Sequence, residues 1–160
     1  MGDSGEFPAT GRCNCGEVRY RLLRKPMFVH CCHCTWCQRE AGSAFVLNAM
    51  IETENVELLA GSPVRSERPS NSGIGQSVFS CTACEVHLWS HFGGREQVAF
   101  VRVGSLENPA LCPPDIHVFS STKQPWVVLD ERVPVMPEFY RRSDYWSTEA
   151  YQRYQQVLAS

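Results

Sequence analysis

The chain has 160 residues, 43% hydrophobic and 20% charged, with a formal net charge of −2. Those figures suit one globular domain with a sizeable core, and the runs of like charge are too short to call for nucleic acid or an anionic membrane. No secretory signal or membrane-length apolar stretch is visible, so the expected compartment is the cytoplasm, where nine cysteines bind metal rather than pair as disulfides.

Residues 1–10 read as a flexible leader. Gly11-Arg12-Cys13-Asn14-Cys15-Gly16 then sets two cysteines two apart, with glycines on both sides that permit a tight backbone around an ion. Residues 17–22 alternate polar and apolar, as a half-buried strand does. Arg24-Lys25-Pro26 turns the chain, and a strand over 27–32 runs into Cys32-His33-Cys34-Thr35-Trp36-Cys37. On a strand Cys32 and Cys34 share a face, and a turn through Thr35 and Trp36 brings Cys37 back beside them. Three thiolates on a tetrahedral ion leave one position vacant.

Residues 38–43 read as a short turn or helical segment, 44–50 as a buried strand and Val56–Ala60 as another, with 61–75 as surface loop. A strand at Gln76–Ser80 leads to Cys81-Thr82-Ala83-Cys84, and 86–92 pairs with 97–103 as a β-hairpin about Gly93-Gly94. Beyond Gly104, recurring prolines restrict the chain to turns and short strands, at 116–119 and 126–129. The helix is terminal. Ser147 is its N-cap, Glu149 suits its first turn, and Ala150, Tyr151, Tyr154, Val157 and Leu158 form its apolar stripe. The fold class is mainly β, a single domain stapled by zinc, with a short C-terminal helix in an extension over 140–160.

Cys13 and Cys15 with Cys81 and Cys84 match two knuckles of a four-thiolate structural zinc site, which pins the first strand to the central hairpin and couples folding to metal. Seven cysteines in three close groups favour zinc over a redox pair or chance core placement. For Cys32, Cys34 and Cys37 the spacing leaves two arrangements open. One is a closed site whose fourth ligand comes from Cys31, His33, Cys112 or a distant histidine, and the other is an open, reactive site. Cys31 and Cys32 face opposite ways on a strand and do not share an ion. Cys112 reads as a free loop thiol, His87 and His91 as half-exposed hairpin positions, and Glu40 as a solvated turn residue. His117 is either a satisfied strand histidine or a neighbour of the site. Trp36 and Trp126 are aromatic core or pocket wall, and Arg39 is, by position alone, a partner for a thiol ligand's carboxylates.

Residues 11–20, Cys32-His33-Cys34-Thr35-Trp36-Cys37, Gly42-Ser43-Ala44-Phe45, Cys81-Thr82-Ala83-Cys84, Val103-Gly104-Ser105-Leu106 and the stretch holding Pro114, His117, Pro125 and Trp126 resemble the glutathione-dependent formaldehyde-activating enzyme family, which includes centromere protein V-like members. The resemblance spans about 11–139. It implies several coiled antiparallel β-sheets and two zinc ions, a structural one on Cys13, Cys15, Cys81 and Cys84 and a catalytic one on Cys32, Cys34 and Cys37. It also implies a carbon–sulfur lyase activity that forms and breaks S-(hydroxymethyl)glutathione. The family's glycine after the second cysteine of the Cys-x-x-Cys is Glu85 here, a departure that bears on the knuckle's turn and not on its thiolates. The expected partner is a small thiol such as glutathione, with no nucleic acid or membrane. The alternatives are a non-catalytic zinc-stapled module that binds a thiol or a protein, and a redox or zinc-store protein.

Overall fold

The computed structural model describes residues 7–160. Strands β1 (Ala9–Arg12), β2 (Arg19–Leu22) and β5 (Val56–Ala60) form a three-stranded sheet in the order β1-β2-β5. Strands β3 (Phe28–Cys32), β4 (Val46–Glu52), β6 (Val64–Arg68), β7 (Gln76–Ser80), β8 (His87–Phe92), β9 (Val98–Arg102) and β10 (Ile116–Val118) form a second sheet, ordered β10-β3-β4-β9-β8-β7-β6. All pairs are antiparallel except β10 with β3, which are joined by a long connection and run parallel.

Both faces of the larger sheet are covered at β3, which is buried along its whole length. Period-2 alternation then assigns each side chain to one of two cores. Val29, Ala49, Ile51, Leu88 and Val101 pack with Tyr20 and Leu22 toward the smaller sheet. Phe28, Cys32, Cys34, Met50, Val98, Ile116 and Val118 pack on the other side against Trp146, Ala150 and Tyr154. The last two lie on α2 (Thr148–Ala159), capped as expected by Ser147, whose hydroxyl accepts from the Ala150 N–H. Arg153 of α2 donates through Nη2 to Glu52 of β4 at 2.6 Å, and both side chains are nearly dry. The segment before α2 is tied to β3 by a chain of hydrogen bonds: Trp146 Nε1 donates to the Tyr140 hydroxyl (2.7 Å), which meets His30 Nε2 (2.6 Å).

Three expectations change. The first described strand begins inside the stretch read as leader, because Ala9 and Thr10 pair with Leu22 and Arg21; residues 1–6 of that stretch lie outside the described residues. The expected loop 61–75 contains β6, an edge strand of mostly exposed polar residues, which therefore carries no hydrophobic period to announce it. The expected strand at 126–129 is a turn followed by irregular chain: Lys123 donates its Nζ forward to the carbonyls of Gln124 (3.0 Å) and Val127 (2.7 Å).

Candidate metal centre

Cys13 and Cys15 follow β1, and Cys81 and Cys84 sit in the turn between β7 and β8. The four Sγ atoms lie within 4.8 Å of one another. The Cys13–Cys15 separation is 3.5 Å and the Cys15–Cys81 separation 3.7 Å. Thiolates held about 2.3 Å from a tetrahedral ion stand about 3.8 Å apart, so this donor set fits zinc. Backbone amides support the sulfurs from behind: Val18 N–H donates to Cys13 Sγ at 3.3 Å and Ala83 N–H to Cys81 Sγ at 3.4 Å. Glu85, where a turn glycine is expected, takes a left-handed φ of 61° and closes the knuckle by donating its N–H to the Cys81 carbonyl.

Cys32, Cys34 and Cys37 form a second group whose Sγ atoms also lie within 4.8 Å. Cys32 ends β3 and Cys34 caps α1 (Thr35–Ala41), so the expected turn through Thr35 and Trp36 is the first turn of that helix. Cys34 Sγ accepts the Cys37 N–H at 3.3 Å. Hydrogen bonds from Cys32 and Cys37, with the Cys37 and Trp36 amides, hold the Cys34 thiol down to about 2 against the effect of burial. Gln38 fixes the helix by donating Nε2 to the His33 carbonyl (2.7 Å) and to the Thr122 carbonyl (2.9 Å).

This trio stands in the wall of a cavity of about 370 Å³. Strand register explains what else is there. On the Cys32 face, His30, Asn48 and Arg102 form one row across β3, β4 and β9, and Met50 and Phe100 form the next. Arg102 is mostly buried (13% exposed side chain) and donates to Asn48 Oδ1 at 2.8 Å, with its Nη2 3.3 Å from His87 Nδ1. Glu40 Oε1 lies 3.8 Å from Arg102, 3.7 Å from Arg68 and 3.5 Å from His87. Glu40 is thus an ion-paired wall residue, not a solvated one, and the His87 hydrogen bond, opposed by burial and aided by Gln76 and Arg102, holds its carboxyl below the usual range. Burial holds His87 below the ordinary imidazole value, against the opposing effect of its hydrogen bond to Glu40. Arg95 and Arg142 complete the basic lining. Arg142 is sandwiched among Phe139, Trp146 and Tyr154, with its carbon centre 4.9–5.8 Å from the three rings.

Other expected residues fall elsewhere. Arg39 is exposed and outside the cavity lining, whereas Trp36 is in it; Trp126 is exposed and outside. His91 is buried against Phe79 rather than half-exposed. Cys112 is buried in the core, where desolvation pushes its thiol up to about 11. Cys31 and His33 point to the face opposite Cys32 and join His117, so they stand in a separate group from the trio. Arg95, Arg102, Arg142 and Asn48 had no local signal. An arginine on a strand looks the same whether it faces water or a cavity, and only register across β3, β4 and β9 brings Arg102 to the cysteines.

A family model described as glutathione-dependent formaldehyde-activating enzyme matches residues 8–122. No curated protein matches this chain. Among solved structures, the crystal structure of a Rhodobacter sphaeroides protein, a structural-genomics target, is similar at 17% identity, over 79% of this chain and 98% of that one, with a TM-score of 0.48.

Proposed function

This chain belongs to the glutathione-dependent formaldehyde-activating enzyme family, and from that premise we propose that it joins glutathione, or a closely similar thiol, to formaldehyde and catalyses the reverse carbon–sulfur cleavage. The observation that carries the reading is the position of Cys32, Cys34 and Cys37, three converging thiols in the wall of a cavity with three arginines. Cys13, Cys15, Cys81 and Cys84 would hold a structural zinc ion, and Cys32, Cys34 and Cys37 a second one. When bound by that trio, zinc lowers the pKa of an incoming thiol and keeps it as thiolate.

The chain's own residues supply binding and orientation. Arg102 is pre-set by Asn48, His87 and Glu40, so little side-chain entropy is lost when it meets a negative group near the thiols. Arg142 and Arg95 stand on the cavity wall as partners for the two carboxylates at the ends of glutathione. Met50, Phe92, Phe100, Phe119 and Phe139 present an apolar lining that keeps water from competing. In the forward direction the substrate's sulfur pair forms the bond to the aldehyde carbon. The carbonyl pair moves to oxygen, which takes up the proton that the thiol released, so no oxidant or reductant is needed. Positioning supplies most of the rate gain.

Native mass spectrometry with and without glutathione tests this reading. Zinc in both cysteine groups and a glutathione adduct are expected, and Cys34→Ser loses one zinc, the adduct and glutathione-dependent turnover. Full turnover in Cys34→Ser refutes the proposal. Adduct formation with no rate above the spontaneous reaction would make the chain a zinc-stapled thiol-binding module instead.

A further inference from the structure

The face of β3 turned away from the cavity carries a third convergent group that the reaction does not use. Cys31 and His33 are two apart and share that face, as alternation requires. His117 is the in-register partner of Cys31 on the adjacent parallel strand β10, so its side chain joins them. Cys31 Sγ lies 3.5 Å from His33 Nε2, His33 Nε2 lies 2.9 Å from His117 Nδ1, and the three donor atoms fall within 4.8 Å of one another. All three residues are buried, at 2%, 0% and 6% exposure.

We propose that Cys31, His33 and His117 form a third metal site, for a zinc-class divalent ion. Cys31 Sγ, His33 Nε2 and His117 Nδ1 converge in a dry pocket, where they meet one another through the Cys31–His33 and His33–His117 hydrogen bonds. An ion bound by one thiolate and two neutral imidazoles satisfies all three lone pairs at once, and this mixed sulfur–nitrogen set suits zinc. Ligands about 2.0–2.3 Å from a tetrahedral ion stand about 3.3–3.6 Å apart. The 3.5 Å pair already meets that spacing, and the 2.9 Å nitrogen pair has to open by a few tenths of an ångström. The site also explains why adjacent residues 31 and 32 can both be ligands. They serve different ions on opposite faces of one strand, and the third ion ties β10 to β3.

The test is metal counting on the full, reduced chain loaded with excess zinc and freed of loose metal. Three ions per chain are expected, falling to two in Cys31→Ser and in His117→Gln while the Cys32, Cys34 and Cys37 group keeps its ion. A second measurement needs no variant that might misfold. In the wild-type protein loaded with 113Cd and carrying 15N-histidine, one cadmium resonance should couple to imidazole nitrogens of both His33 and His117. Saturation at two ions with no cadmium–histidine coupling overturns the proposal.

Discussion

Glu85 occupies a left-handed conformation with φ of 61° in the turn that presents Cys84. A side chain with a Cβ costs about 1–2 kcal/mol there, most of which glycine avoids. Glu85→Gly is therefore expected to stabilise the zinc-loaded protein by about 1 kcal/mol, read as a higher urea midpoint at unchanged slope. The opposite sign is expected at Gly11, which pairs with Tyr20 across β1 and β2. A Cβ there would meet the buried Tyr20 ring at 2.3 Å, and that ring is anchored by its hydroxyl on Ser105 at 2.6 Å. Gly11→Ala should destabilise by about 1–3 kcal/mol, as overpacking does. At the cavity, Arg142→Met keeps bulk between the aromatic rings and removes the charge. It should raise the KM for glutathione about tenfold with little change in kcat, as loss of one charge-assisted hydrogen bond implies.

At the scale of elements, α2 is held by one apolar face and one ion pair. Burial tends to push the Glu52 carboxyl up, but hydrogen bonds from Arg153 and its own backbone, with Asn55 adding to them, leave it lowered overall. A folded-state pKa below the unfolded one means that the pair's stabilisation is present above the ordinary carboxylate value of about 4.3 and is lost as pH falls through the folded value. Protease sensitivity at the C-terminal segment should rise below about pH 4, and Arg153→Met should make that segment sensitive at neutral pH. Elements with a hydrophobic period, such as β2, β3, β4, β8 and α2, were legible from the sequence. The edge strand β6 was not, because its pairing with β7 is made by backbone groups and its side chains mostly face water.

Across the whole molecule, the Cys13, Cys15, Cys81 and Cys84 group joins the end of the small sheet to a turn of the large one. Folding and metal binding at such a site are one equilibrium. Cys81→Ser should lower the melting temperature far more than Cys34→Ser, whose cluster sits within one sheet and one helix cap. Chelator titration followed by circular dichroism should show the same order, with secondary structure lost only when the first group gives up its metal. Equal sensitivity of the two variants would contradict that division.

Short spacings sufficed to bring Cys13 beside Cys15, Cys81 beside Cys84, and Cys32, Cys34 and Cys37 together, because they constrain geometry through local backbone rules. That the first two pairs meet, across 66 residues, was implied by the family resemblance and is brought about by the fold. The mainly β class and the capped terminal helix were likewise readable from periodicity and from Ser147. Only the tertiary structure decided that Glu40 is ion-paired, that Arg102, Arg95 and Arg142 line the cavity, and that His117 meets Cys31 and His33. Arg102 and His117 depend on register between strands far apart in the chain, and a shift of one residue would turn their side chains to the other face. Glu40 on α1, and Arg95 and Arg142 in connecting segments, reach the cavity only through the packing of those segments, which nothing local in the sequence specifies.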